Sequence, residues 1–199
     1  QAGWPALEHR WVAWTGQPAP WQQRPRWDGK GSLAAQSILL FAEQGLGDTI
    51  QFLRYVPLVC AQAREVVLIV QRPLAPLLGE LPPNCRVLVS GDAVPPTDWQ
   101  CPLLSLPLAF GTTTQTVPAY ARGLHARLDL VSKWRLELPP GLRRVGIAWS
   151  GNAQHKNDRN RSIPLALFRS IAAEGWQFVS LQPQVRGADH EALQGWSGL

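Results

Sequence analysis

Ser37-Ile38-Leu39-Leu40-Phe41-Ala42-Glu43-Gln44-Gly45-Leu46-Gly47-Asp48-Thr49 carries more structural information than any other part of this 199-residue chain. Ser37–Ala42 is an unbroken apolar run, the pattern of a strand buried on both faces. Glu43–Asp48 follows as a tight, glycine-bearing turn. From Thr49 to Ala63 the apolar positions 50, 52, 53, 56, 59, 60 and 63 keep a helical period, with Pro57 expected to kink the helix. Val66–Val70 is a second buried strand. Strand, glycine turn, helix and strand make a βαβ unit, whose two strands run parallel.

The same grammar extends downstream. Leu74–Leu81 reads as a short helix entered through Pro73. Arg86–Val89 reads as a third strand and Trp99–Cys101 as a fourth, followed by a helix from Leu103 to Phe110. This alternation predicts an α/β fold with a parallel sheet. Residues 111–141 are Thr- and Pro-rich and read as irregular, and Pro139-Pro140-Gly141 marks a break. The pattern then restarts with a strand at Val145–Trp149, a polar loop at Ser150–Ser162, a helix at Pro164–Ala173 and a strand at Gln177–Leu181. A weak helical phrase, Ala188–Leu193, closes the chain.

Upstream, residues 1–30 hold five of the ten tryptophans (Trp4, Trp11, Trp14, Trp21 and Trp27) and four prolines. Gly3–Trp14 reads as a short helix with Trp4, Leu7, Trp11 and Trp14 on one face, a stripe that needs a covering partner. Gly16–Gly31 reads as an extended, Pro-interrupted linker. The domain plan is therefore 1–31, a helix and linker; 32–140, a parallel α/β domain; and 141–199, the start of a second strand–loop–helix–strand unit.

Composition sets the bounds. The chain is 45% hydrophobic and 17% charged, which excludes wholesale disorder. Its 18 prolines and 17 glycines predict many turns and short elements. No apolar run approaches the ~20 residues of a membrane span, and the N-terminus lacks the signal-peptide pattern. Cys60, Cys85 and Cys101 are odd in number and widely spaced, without a CxxC pair. They read as three free thiols of a reducing cytoplasm, not as a disulfide framework or zinc site. The absence of methionine suggests an excerpt or processed product. Net charge is +5, with an isoelectric point near 9.6. The excess is dispersed over Arg122, Arg127, Lys133, Arg135, Arg143 and Arg144, and over Lys156, Arg159 and Arg161 around Asp158. It suits phosphorylated small molecules as well as it suits a nucleic-acid surface.

Three segments can carry chemistry. Glu43–Thr49 lies where a buried parallel strand hands over to a helix, the position at which α/β sheets bind ligands. Gly45 and Gly47 permit close backbone approach, and the free N–H groups of a helix start favour anions. Position 50 is Ile, so the third glycine of a dinucleotide fingerprint is missing. Spacing leaves Asp48 two open roles, helix cap or active-site carboxylate. The second segment, Trp149–Ser162, again follows a buried strand. With His155, Lys156, Arg159, Arg161 and several Asn, it reads either as a reader of phosphate or sugar hydroxyls or as a solvated loop. The third, Pro102–Thr114, reads as a packed helix followed by a hydrogen-bonded turn, with a cleft lining as the alternative. No nucleophile elbow, HExxH or metal constellation is present. A general-base carboxylate with cationic phosphate readers is the chemistry on offer.

The runs 42–55 (AEQGLGDTIQFLRY), 101–107 (CPLLSLP), 145–152 (VGIAWSGN) and 158–164 (DRNRSIP) resemble bacterial proteins in which tetratricopeptide repeats are fused to a glycosyltransferase-like domain. That group is similar to the lipopolysaccharide heptosyltransferases of glycosyltransferase family 9 and, more distantly, to O-linked N-acetylglucosamine transferases. The likeness covers about residues 1–182. It implies a GT-B architecture, with the acceptor largely on the first Rossmann-like half and the nucleotide-sugar on the second. It implies Asp48 as the base that deprotonates an acceptor hydroxyl, in a metal-independent and inverting transfer without a cofactor. Gln44, Gly45, Gly47, Thr49, Ser150, Asn152, Lys156, Arg159 and Arg161 become the expected substrate-binding residues. The phrase Gly3-Trp4 to His9-Arg10-Trp11 resembles the tail of a repeat array.

The partners implied are a nucleotide-sugar donor, a glycan, lipid or protein acceptor, and a protein docked on the repeats. Nucleic acid is not among them, no transmembrane segment is expected, and the location implied is cytoplasmic. A complete member would continue for ~100 residues or more, so the excerpt alone is expected to be inactive. The alternative function is a non-catalytic scaffold that uses the Trp-rich arm to dock partners.

Overall fold

Four strands, β1 (Ser37–Phe41), β2 (Glu65–Val70), β3 (Cys85–Val89) and β4 (Trp99–Pro102), form one sheet in the order β3-β2-β1-β4, and every pairing is parallel. In this computed structural model the described residues are 3–12, 20–119, 124–138, 140–141, 143–171 and 175–196. The fold is α/β, and its strand order is consistent with a Rossmann-like sheet, in which the crevice between β1 and β4 is the point where the order reverses. Two compact units divide the chain, 1–131 and 132–199.

The first unit's core follows from strand alternation. All five residues of β1 are buried. Ile38 and Leu40 face a large cluster with Val66, Leu68 and Val70, whereas Leu39 and Phe41 face a smaller one with Val67, Ile69 and Leu88. This is why the run reads as continuously apolar. Asp98 pins the start of β1 to β4, since its Oδ2 accepts from both the Ser37 N–H and the Ser37 Oγ at 2.7 Å.

Short helices cover the large face: α1 (Gly3–Leu7), α2 (Leu46–Phe52), α3 (Val56–Cys60) and α4 (Leu106–Ala109). The expected helix from Thr49 to Ala63 starts three residues earlier and is interrupted at Leu53–Tyr55 by a 3-10 turn. Pro57 has no N–H to donate and its ring crowds the Leu53 carbonyl, so the chain tightens just ahead of it. The helix expected over Leu74–Leu81 shrinks to the 3-10 turn Ala75–Leu77, because Pro76 breaks the run and Leu78 is already extended. The expected Leu103–Phe110 helix is a 3-10 turn, Leu103–Ser105, running into α4. Within the irregular stretch 111–141 lies a ten-residue helix, α5 (Leu128–Glu137), which has no buried residue. Its signals are polar: Asp129 in the first turn, Arg135 in the last, and a Lys133–Glu137 pair at 3.7 Å. The division between the units falls inside this helix.

The described residues of the stripe, Trp4, Leu7 and Trp11, pack within their own unit. Trp4 packs edge-on against Phe52 with ring centroids 6.5 Å apart, and its Nε1 donates to the Thr112 carbonyl at 2.8 Å. Leu7 joins the same core, and Trp11 joins the smaller cluster. Trp14 lies outside the described residues, as do Arg122 and Pro139. Residues 20–31 are not a free linker. Arg26 bridges Gln100 of β4, the Trp27 N–H donates to the Gln100 carbonyl at 2.9 Å, and the Trp27 indole is buried. Burial of a side chain this large stabilises by ~3 kcal/mol, enough to draw a Pro-rich segment onto a sheet edge. Gly29 holds a φ of +92°, and a Cβ there would collide with the Ala109 carbonyl.

The second unit holds a parallel pair, β5 (Arg143–Ile147) and β6 (Trp176–Ser180). β5 begins and ends two residues before the expected strand, so Trp149 falls in the turn after it. Pro164 is the N-cap of α6 (Leu165–Phe168), which continues as a 3-10 turn, Arg169–Ile171; the expected helix end at Ala173 lies outside the described residues. With α7 (His190–Gln194), these elements enclose Ile147, Trp149, Leu165, Phe178 and Trp196. Asp189 is the polar centre of this core. Its Oδ2 accepts from Trp149 Nε1 at 3.0 Å and its Oδ1 from the Leu165 N–H at 2.9 Å.

Candidate functional site

β1 ends at Phe41, and the turn after it is built by local hydrogen bonding. Gly45 is the N-cap of α2, and Asp48 stands in that helix's first turn. The Gly45 N–H donates to Asp48 Oδ2 at 3.1 Å, which is the backward half of a capping box. Asp48 therefore caps its own helix. Its carboxylate stays half-exposed, and nothing lies within 4 Å of where a Cβ on Gly47 would stand. Gln44, Gly45 and Gly47 are exposed, so the turn presents its backbone to solvent.

Thr49 differs from the other expected binding residues. It is buried, and its Oγ1 donates to Gln71 Oε1 at 3.0 Å, while Gln71 Nε2 donates to the Gln44 carbonyl at 2.7 Å. Gln71, just past β2, thus braces the turn from below.

A charge cluster that spacing does not reveal lies beside this turn, between the ends of β1 and β4. Glu43 accepts from Arg10 Nε at 2.6 Å. Arg10 Nη2 and Arg26 Nη2 both donate to Ser105 Oγ, at 2.7 and 2.5 Å. Glu8 pairs with Arg10 at 3.0 Å and with Arg26. Both guanidinium groups also lie over the Trp11 ring, 5.0 and 6.0 Å from its centroid.

The Glu43 side chain is only 8% exposed, and its Oε2 is buried with no hydrogen-bond partner among the described residues. Burial pushes the Glu43 carboxyl above the usual carboxylate range, outweighing the Arg10 hydrogen bond and charge. Glu8 goes the other way: burial raises it, but the hydrogen bonds and charges of Arg26 and Arg10 together bring it below the ordinary value. The resembling phrases contain Glu43, Arg10 and Ser105, yet nothing in their spacing joins residues 8, 10, 26, 43 and 105.

The Pro102–Thr114 segment is packed. Thr112 is buried and its Oγ1 accepts from the Tyr55 hydroxyl at 3.1 Å, while Thr113 and Thr116 close a turn.

In the second unit a cleft of about 680 Å³ opens at the carboxyl ends of β5 and β6. Ser150–Gln154 form one wall and Gln182–Arg186 the other. Gln182 clamps the first wall: its Oε1 accepts from the Trp149 and Ser150 N–H groups at 3.1 Å each, and its Nε2 donates to the Ser150 carbonyl at 2.9 Å. Ser150 Oγ is buried without a hydrogen-bond partner among the described residues. Asn152 lines the cleft and bonds the Gln154 N–H at 2.9 Å.

The cation of this cleft is Arg186, which donates to the Gly151 carbonyl at 2.9 Å and to Asp158 Oδ2 at 2.7 Å. The Ser162 hydroxyl, then Arg186 and Arg161, hold the Asp158 carboxyl below its ordinary value, against the opposing effect of burial. Arg161 lies across Gly151, where an added Cβ would stand 3.2 Å from its Nε. Lys156 and Arg159 are exposed and outside the cleft lining, and neither forms an ion pair among the described residues. Arg186 and Gln182 escape a reading of the loop alone because they arrive from the segment after β6.

No group of three or more His, Cys, Asp or Glu side chains able to hold a metal ion occurs among the described residues. No helix among them is long and apolar enough to cross a membrane. No protein-family model matches the chain, no curated protein matches it, and no solved structure matches it.

Proposed function

We propose that this chain serves glycosyl transfer from a nucleotide-sugar to an acceptor hydroxyl, in a GT-B arrangement like that of the heptosyltransferase-related proteins it resembles. The observation that carries this reading is the turn after β1. A glycine-rich backbone and a half-exposed carboxylate stand beside the strand-order reversal of a parallel sheet, where α/β proteins bind ligands. Asp48 is the general base. Its Oδ2 is steadied by the Gly45 N–H, so the carboxylate is oriented before an acceptor arrives. The exposed turn at Gln44, Gly45 and Gly47 lets that acceptor approach the backbone closely.

The cleft of the second unit receives the donor. Ser150 and Asn152 line the cleft beside the sugar-nucleotide, and Lys156, Arg159 and Arg161, on the exposed loop outside that lining, meet the diphosphate where it emerges, so that their cations stabilise the leaving charge. The transfer needs no metal.

The test is release of nucleoside diphosphate by the full-length protein from a panel of nucleotide-sugars, with acceptor glycans, lipids and peptides supplied. Turnover is expected to persist in EDTA. Asp48→Asn is expected to lower kcat by ~10²–10⁴-fold, the range for losing a general base, while leaving donor binding intact. Unchanged kcat in Asp48→Asn removes the base assignment, and absence of transfer across the whole panel removes the reading.

A further inference from the structure

The end of the sheet opposite the glycine turn holds a pair of thiols that the transfer chemistry does not use. Cys60 is the last residue of α3 and Cys85 the first of β3. Asn84, immediately before Cys85, ties the two elements together: its Nδ2 donates to the carbonyls of Cys60 at 2.9 Å and Ala63 at 3.0 Å, and its own carbonyl accepts from the Val66 N–H at 2.8 Å. Both cysteines pack in the same apolar cluster. Cys60 is buried. Cys85 keeps partial exposure on β3, the edge strand of the sheet.

We propose that Cys60 and Cys85 are an oxidative modification site that closes into a reversible disulfide, joining the C-terminus of α3 to the edge strand β3. The oxidant is a hydroperoxide. The Cys60 thiolate attacks one peroxide oxygen and breaks the O–O bond, giving a sulfenic acid; the hydroxide released takes up the thiol proton as water. The Cys85 sulfur then attacks the sulfenic sulfur, and its proton leaves with the sulfenic hydroxyl as a second water. In sum, two thiols and one hydrogen peroxide become one disulfide and two waters, and the peroxide accepts the two electrons that the sulfurs lose.

The order of attack follows from how the two thiols differ. Interaction with the neighbouring Cys85 thiol lowers the Cys60 thiol below its ordinary value, whereas interaction with Cys60 and burial raise that of Cys85. Cys101 is the internal contrast. It is fully buried in β4, and burial pushes its thiol up to about 12, so it stays protonated.

The experiment treats the folded protein with hydrogen peroxide in native buffer. Catalase stops the reaction, the remaining thiols are alkylated with N-ethylmaleimide in urea, and tryptic peptides are mapped by mass. Alkylated thiols are expected to fall from three per chain to one, on Cys101. A dithiothreitol-sensitive species joining peptide 55–64 to peptide 65–86 is expected to appear. Cys85→Ser is expected to abolish that species. Three alkylated thiols after peroxide, a sulfinic Cys60 without a link, a link found only between chains, or an intramolecular link that persists in Cys85→Ser would each overturn the proposal. If Cys85→Ser does not fold, the peptide map of the unsubstituted protein decides alone. None of these readouts depends on glycosyl transfer.

Discussion

The turns after β1 and β5 obey the same local rule and meet opposite fates. Each follows a strand of a parallel pair, β1 buried throughout and β5, contrary to the buried strand expected there, buried only at Ile147, and each turn is polar and glycine-bearing. After β1 the neighbouring charges are consumed inside the fold, with Glu43 and Glu8 closed onto Arg10 and Arg26 around the Ser105 hydroxyl. After β5 a cleft stays open, and Arg186 on its wall is tied down by Asp158 and the Gly151 carbonyl. Local sequence thus places a polar turn at a strand end. Segments distant in the chain decide whether its surroundings are filled or open. In the first unit the segment that precedes the sheet brings two guanidinium groups to β1 and β4. In the second, the segment after β6 brings one, and the remaining cations stand on the loop itself.

This contrast can be broken most forcefully at Arg10. Arg10→Ala leaves the Glu43 carboxylate buried without its partner and is expected to cost ~3–5 kcal/mol in urea unfolding. A loss under ~1 kcal/mol would mean that the cluster does not hold residues 3–12 in place. In the second unit, Asp189→Ala strips the buried Trp149 indole and the Leu165 N–H of their acceptor, with an expected loss of ~2–3 kcal/mol. Retention of full stability there would show that the core of this unit rests on apolar packing alone.

The pH dependence separates the carboxylates by sign. Glu43 holds its proton more tightly when folded, so its contribution to stability declines as pH rises from the unfolded value near 4.5 through the raised folded value. Glu8 and Asp158 are held below their ordinary values, so the stability they lend is present above about 4.5 and 3.8 respectively and is lost as pH falls through the lowered folded values. Unfolding midpoints of Glu43→Gln measured across this range are expected to lack the decline above pH 4.5; if the decline persists, another group causes it. The smallest stability effect belongs to the exposed cations. Lys156→Ala and Arg159→Ala are expected to move stability by less than ~0.5 kcal/mol. Both are expected to weaken nucleoside diphosphate binding in calorimetry, and unchanged affinity would detach the loop from the donor.

Much of the sheet is legible in the chain. Ser37–Phe41 and Val66–Val70 are buried on both faces, and strands of that kind show as unbroken apolar runs whatever surrounds them. The short helices are less legible, because Pro57 and Pro76 end runs whose apolar period continues past them. α5 escapes because it buries nothing, and periodicity reports burial. At the first candidate site, Asp48 and its glycines are visible because their roles are local, set within one turn of helix. Thr49 carries the same outward look in the sequence, but Gln71 turns it into a brace. Glu8, Arg10, Arg26 and Ser105 stand apart in sequence and meet only when the N-terminal segment docks on the ends of β1 and β4.

By itself, then, the sequence determined the parallel α/β character and the places where two strands hand over to polar turns. Each of these follows from period, proline and glycine position over stretches of a dozen residues or fewer. Only the tertiary structure decided that Trp4, Leu7 and Trp11 pack on the core of their own unit, that Trp27 rides on the edge of β4, and that Asn84 ties the Cys60 end of α3 to the start of β3. It likewise decided that charge closes beside the first turn and leaves the second open. The reason is physical. Burial and hydrogen-bond geometry are set by which surfaces meet, and residues far apart along the chain carry no periodic mark of that meeting.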